Sequence, residues 1–122
     1  MRDEVYVRTV LEPSFAFARD LLFVPMLEAN LAHVLSLDHV RLLPPGHTEA
    51  LARVCTDMMR SPASWKPERY DPAFEDLFFM MEDRVMAEVG ADAASNMHLA
   101  MSRNDFEAAL FRMAGRDLIA SV

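Results

Sequence analysis

Apolar residues recur at helical spacing in four stretches of the chain, and no run of four to eight residues alternates between apolar and polar positions as a half-buried strand would. The pattern predicts an all-α fold, with helices over about 25-38, 48-60, 72-89 and 103-120. The first is placed from Pro25, a residue accepted in a first helical turn, through Leu27, Leu31, Val34 and Leu35, and its end from Leu43-Pro44-Pro45-Gly46. Thr48 offers a hydroxyl N-cap to the second, whose Leu51, Val54, Cys55, Met58 and Met59 share one face. Ser61 to Tyr70, with two prolines and the single Trp, reads as a loop. Asp71-Pro72 then resembles an N-cap followed by a first-turn proline, with Phe74, Leu77, Phe78, Met81, Val85 and Val89 as the buried stripe running to Gly90. Ser102-Arg103-Asn104-Asp105 has the form of a capping box, ahead of Phe106, Ala109, Leu110 and Met113. That last pattern is still running at Val122, so the chain reads as truncated.

At 122 residues the chain supports one helical domain over 1-122 and one core. Apolar residues reach 52%, more than a small particle easily hides, which predicts an apolar face that meets a partner. Twelve basic residues stand against 19 acidic ones, and the net charge of −7 opposes nucleic-acid or anionic-membrane binding, both of which need a concentrated positive field. No uninterrupted apolar run approaches the ~18–20 residues of a membrane span, and Met1-Arg2-Asp3-Glu4 lacks the order of a signal peptide, so a cytoplasmic location is expected. Cys55 is the single cysteine, which excludes an internal disulfide and a Cys-rich zinc site.

Candidate chemistry is sparse. His33, His39, His47 and His98 are not spaced three or four apart, so no metal site is predicted. The Met58-Met59 and Met80-Met81 pairs read as core filling, and Cys55, on the apolar face of its helix, as a buried thiol. Glu75-Asp76 and Glu82-Asp83 place four carboxylates on two turns of one helix, where the first pair complements the helix dipole. Ser102, Arg103 and Asn104 differ in kind: they set a hydroxyl, a guanidinium and an amide at a helix mouth, where free backbone amides and the positive dipole end favour an anion such as a carboxylate. A plain helix cap with a solvated Arg103 is the alternative for the same residues.

Met97-His98-Leu99-Ala100-Met101-Ser102-Arg103-Asn104-Asp105 resembles the L-H-T-G-R-S-R-N-D segment of the argininosuccinate lyases, in the fumarase and aspartase superfamily. Glu75-Asp76 through Glu82 and Arg84 is similar to the family's E-D-x-H-M-x-x-E-x-R helix, and Asn30-Leu31-Ala32-His33 to its S-x-A-H segment. The resemblance covers most of residues 20 to 118. It implies the all-α N-terminal domain of a lyase that releases fumarate from a substituted succinate by β-elimination, without a cofactor. It further implies a small dicarboxylate substrate, a homotetramer in the full-length protein, and a substrate-binding loop of Ser102, Arg103 and Asn104. Asn30 stands in the place of a substrate-contacting Ser.

Two departures accompany it: Phe78 replaces the family's His, and Leu99-Ala100-Met101 replaces T-G-R. The family's G-S-S-x-M-P-x-K loop and T-x-H segment have no counterpart here, so no catalytic residue is assigned in this chain and the isolated chain is expected to be inactive. The rival expectation is a stand-alone helical interaction module whose S-R-N-D is only a cap.

Overall fold

The computed structural model describes residues 3–122, and helices are the only regular elements among the described residues. Helix α1 (Glu4–His39) is one continuous rod of 36 residues, well over twice the length expected from Pro25 onward. It passes through Pro13 and Pro25 because a wider π turn precedes each, over Val7–Leu11 and Ala18–Leu22. A proline ring collides with the carbonyl four residues back, and here those residues, Thr9 and Leu21, lie inside the π turns, where the looser ladder gives the ring room. Asp3 caps the rod, accepting from the amides of Val5 and Tyr6.

Taken by mean hydropathy, α1 is long and apolar enough to cross a bilayer, although charged residues interrupt its apolar runs. Of its most apolar window, 44% is buried in the protein. The rod ends where Arg41 takes a left-handed conformation (φ 60°) and the Leu42 amide reaches back 2.9 Å to the Leu37 carbonyl, a Schellman-type closure made without glycine.

Helix α2 (His47–Arg60) returns along the second half of α1. Its N-cap is Gly46, at φ 83°, and not Thr48 as the sequence suggested. Thr48 lies inside the first turn and donates its hydroxyl to Asp38 at 2.7 Å, tying α2 to the end of α1. The expected loop of 61 to 70 contains a single turn of helix, α3 (Pro62–Trp65).

Helix α4 (Leu77–Val89) starts five residues later than Asp71-Pro72 predicted. Asp71 spends its carboxylate on the Ala73 amide (2.9 Å), and the Tyr70 hydroxyl donates to the Phe74 carbonyl (2.6 Å), so 71 to 76 fold as turns. The true N-cap is Asp76, extended at φ −159° and accepting from the Phe79 amide at 3.2 Å. Gly90, at φ 89°, turns the chain into α5 (Ala91–Asn96), and α6 (Arg103–Ala120) crosses back over α1.

One core joins all the long helices: Phe23, Leu27 and Val34 of α1, Leu51, Cys55 and Met58 of α2, Leu77, Met81 and Val85 of α4, and Phe106 and Leu110 of α6. Each such fully buried side chain contributes roughly 1.5–3 kcal/mol by leaving water. Burial also pushes the Cys55 thiol up to about 11, which keeps it protonated and unreactive at neutral pH. Part of the apolar excess stays exposed, and Tyr6, Val10 and Phe17 of α1 meet Phe111 of α6 along one side. Phe17 and Phe111 stack across that side at 6.1 Å.

Candidate functional site

The first turn of α6 presents Ser102, Arg103 and Asn104. Ser102 is the N-cap by backbone conformation (φ −85°, ψ 127°), yet its hydroxyl makes no capping bond, so the capping box read from the sequence is not formed. The first intrahelical bond runs from Phe106 to the Ser102 carbonyl, which leaves the amides of the preceding turn without intrahelical acceptors. Ser102 and Asn104 are exposed.

Arg103 is half-buried and is not the solvated residue of a plain cap. Its guanidinium carbon lies 4.4 Å from the centre of the Phe78 ring and 4.9 Å from that of Phe79. Nη2 donates to Oδ2 of Asp76, and Nε donates to Oε1 of Glu107 one turn on, at 3.1 Å. Asp76 therefore serves two helices at once, capping α4 with one oxygen and pairing α6 with the other. Neither its reading as a first-turn acid nor its place in the E-D motif points to Arg103 as its partner. The Nη1 edge of the fork is left for a further acceptor.

A cavity of about 580 Å³ opens in front of Arg103, between the first half of α1 and α6. Its walls are apolar, from Val10, Phe15, Phe17, Phe106 and Phe111, and its charged rim consists of Glu75, Asp76, Arg103 and Glu107. Ser102, Asn104 and Asn30 do not line it.

Behind the Phe78 ring stands a second polar group. Asn30 of α1 is 4% exposed and the one buried polar residue of the described chain. Its Oδ1 accepts from Nε2 of His98 at 3.1 Å, and Nδ1 of His98 lies 3.6 Å from Oε1 of Glu82 without a hydrogen bond. The His98 ring packs 4.7 Å from Phe78 and edge-on to Phe106 at 6.2 Å. Burial lowers the His98 pKa below that of a free imidazole, with the Glu82 carboxylate partly opposing and His33 and Arg103 adding to the shift. His33, one turn beyond Asn30, donates Nε2–H to the Leu99 carbonyl at 2.7 Å. Two histidines thus fasten the segment before Ser102 to α1, a use that their spacing does not announce. Among the described residues no three His, Cys, Asp or Glu side chains converge as metal ligands.

The two departures from the motif now have geometry. Phe78 gives Arg103 and His98 one aromatic ring to pack against. Ala100, in the place of the motif's Gly, sits at φ 58°, a conformation that favours glycine. Asn30 and Arg103 are joined through His98 and Phe78 and make no direct contact.

Comparison with known proteins bears on the same segments. Argininosuccinate lyase 2 of Agrobacterium fabrum is 31% identical over 119 residues, 96% of this chain and 23% of that protein. The argininosuccinate lyase of Methanothermobacter thermautotrophicus is 32% identical over 103 residues, 83% of this chain and 21% of its own length. That of Methanospirillum hungatei is 29% identical over 92 residues, 74% and 18%. This chain is an argininosuccinate lyase-like region. It spans less than a quarter of the length of these curated relatives. No family model matches the chain, and no solved structure does. The all-α architecture of this lyase-like region agrees with the fold that the S-R-N-D resemblance implies.

Proposed function

We propose that residues 1–122 form one helical domain that supplies one wall of the dicarboxylate site of an argininosuccinate lyase-like enzyme, cytoplasmic and homotetrameric, acting by cofactor-free β-elimination to fumarate and an amine. The observation that carries this reading is the mouth of α6, where uncapped first-turn amides stand beside a guanidinium clamped by Asp76, Glu107 and the Phe78 and Phe79 rings. β-Elimination removes a proton from a carbon next to a carboxylate and loads negative charge onto that group. A prearranged guanidinium edge and fixed amide dipoles stabilise such charge without reorganising as it develops. Ser102 and Asn104 stand exposed beside Arg103 and add a hydroxyl and an amide to the substrate's carboxylates. Asn30, in the place of the motif's substrate-contacting Ser, is buried and bonded to His98. Asp76 and Glu107 hold Arg103 in place and also reduce its net charge, so binding depends on the amides as much as on the guanidinium.

The chain's part is binding and orientation, and no proton-abstracting group is assigned within it. Calorimetric titration of the chain with argininosuccinate, with the ultraviolet absorbance of fumarate followed in parallel, tests this. Heat of binding that vanishes in Arg103→Ala, with no fumarate produced, is the expected result. Equal heat from both proteins removes Arg103 from the site.

A further inference from the structure

We infer that the cavity between the first half of α1 and α6 binds a small organic cation, with its ammonium group at the acidic rim and its apolar body among the phenylalanine rings. The inference is independent of the dicarboxylate reading, because Ser102 and Asn104 lie outside this cavity and only Arg103 belongs to both.

The cavity reaches down to the core. Its floor consists of the buried Phe15, Leu22 and Met26 of α1, Leu77 of α4, and Phe106 and Leu110 of α6. Tyr6, Val10 and Phe17 of α1 and Phe111 of α6 form its outer walls, and the Phe17 and Phe111 rings stack at 6.1 Å. The volume of about 580 Å³ falls within the roughly 300–1,000 Å³ of small-molecule sites. An apolar body gains from leaving water for these walls whatever charge it carries. The walls therefore set the size of the ligand, and the rim sets its sign.

The rim carries Glu75, Asp76 and Glu107 against Arg103 alone. Arg103 already spends its charge inside the protein: Nη2 donates to Asp76, Nε donates to Glu107 at 3.1 Å, and the guanidinium lies over the Phe78 and Phe79 rings. Glu75 is exposed and forms no ion pair among the described residues. A cation entering the cavity thus meets uncompensated negative charge, which repels an anion. The faces of the phenylalanine rings, negative by their quadrupole, add to the same preference. Walls that keep water back make both effects stronger than on open surface. A second copy of the chain is a poor occupant, since at a net charge of −7 it brings more of the same sign to the rim.

Phenylpropylammonium, phenylpropanol and phenylpropanoate share one body and differ in the charge of the head group. In titrations followed by the side-chain NMR signals of Val10, Phe17 and Phe111, the ammonium is expected to bind about tenfold more tightly than the alcohol, and the carboxylate more weakly than both. Glu75→Gln, at an exposed position where the fold is not at stake, should shrink the advantage of the ammonium and leave the alcohol unchanged. Salt at about 0.5 M should shrink it as well. Phe111→Ala should weaken all three probes alike, and propylammonium, which lacks the ring, should show no saturable binding.

A carboxylate that binds as tightly as the ammonium overturns the inference, because the free edge of Arg103 then sets the sign. Equal affinities for the three probes, or shifts that do not saturate, overturn it too. A dimer in sedimentation that is lost in Phe111→Ala assigns the cavity to a second copy. A basic amphipathic peptide that moves these signals where phenylpropylammonium does not assigns it to a protein partner. Either result overturns the small cation.

Discussion

Ala100 is held at φ 58° in the connection that delivers Ser102, and the substitution Ala100→Gly tests what that conformation costs. The left-handed region brings an L-residue's Cβ against its own carbonyl, at about 1–2 kcal/mol. Glycine relieves that strain and returns about 0.5–1 kcal/mol to the unfolded chain as conformational freedom. The balance is a net gain of about 0.5–1 kcal/mol, a rise of a few degrees in melting temperature for a chain of this length. The surrounding turn is held by bonds from Leu99 to Asn96 (3.2 Å) and Met101 to His98 (3.1 Å), neither of which uses the Ala100 side chain, so relief of the strain should leave them in place. Ala108→Gly, at an exposed position inside α6, is the matched control and should lose about 1 kcal/mol. Urea unfolding of the three proteins should give opposite signs for the two substitutions. A loss in Ala100→Gly equal to that in Ala108→Gly would refute the strain.

Asp76→Ala should destabilise the chain by about 1–2 kcal/mol, because it removes the α4 cap and an ion pair together, whereas Asp76→Asn keeps a capping oxygen and should lose less, as thermal unfolding will show. Leu51→Ala, at a fully buried position shared by the helices of the core, should lose about 2–5 kcal/mol in urea unfolding. The largely desolvated ring of His98 titrates below its unfolded value, so its neutral form is favoured by folding. Its contribution is complete above about pH 6.5 and is lost as pH falls from there toward the lower folded value. Unfolding midpoints should therefore decline over that window in the native chain, and less so in His98→Phe. An equal decline in both would assign the effect to other groups.

Helix content and the core stripes were legible because they depend on spacing: Leu51, Val54, Cys55 and Met58, placed on one face by periodicity, are all buried. Helix starts were less legible. Asp71-Pro72 and Thr48 carry the right chemistry for caps, but Asp71 caps a turn instead, Tyr70 bonds the Phe74 carbonyl and Asp38 takes the Thr48 hydroxyl, and cap chemistry alone does not choose among these bonds. Likewise Pro25 reads as a beginning, although a π turn one turn earlier lets the helix run through it.

At the site, Ser102, Arg103 and Asn104 were found from three adjacent letters whose placement at a helix mouth is local. The clamp on Arg103 was not, because Asp76 lies 27 residues away in sequence. His98 and His33 stand in the sequence as isolated histidines and as letters of the family motif, and neither spacing nor motif announces their actual partners, an amide and a carbonyl in other elements.

The central claim is that the mouth of α6 grips a dicarboxylate, and its most direct test is a residue-resolved NMR titration of the chain with fumarate. The backbone amides of Arg103, Asn104 and Asp105 should show the largest shifts, saturating together and disappearing in Arg103→Ala. Saturating shifts centred instead on Phe17 and Phe111, or none that saturate, would contradict it.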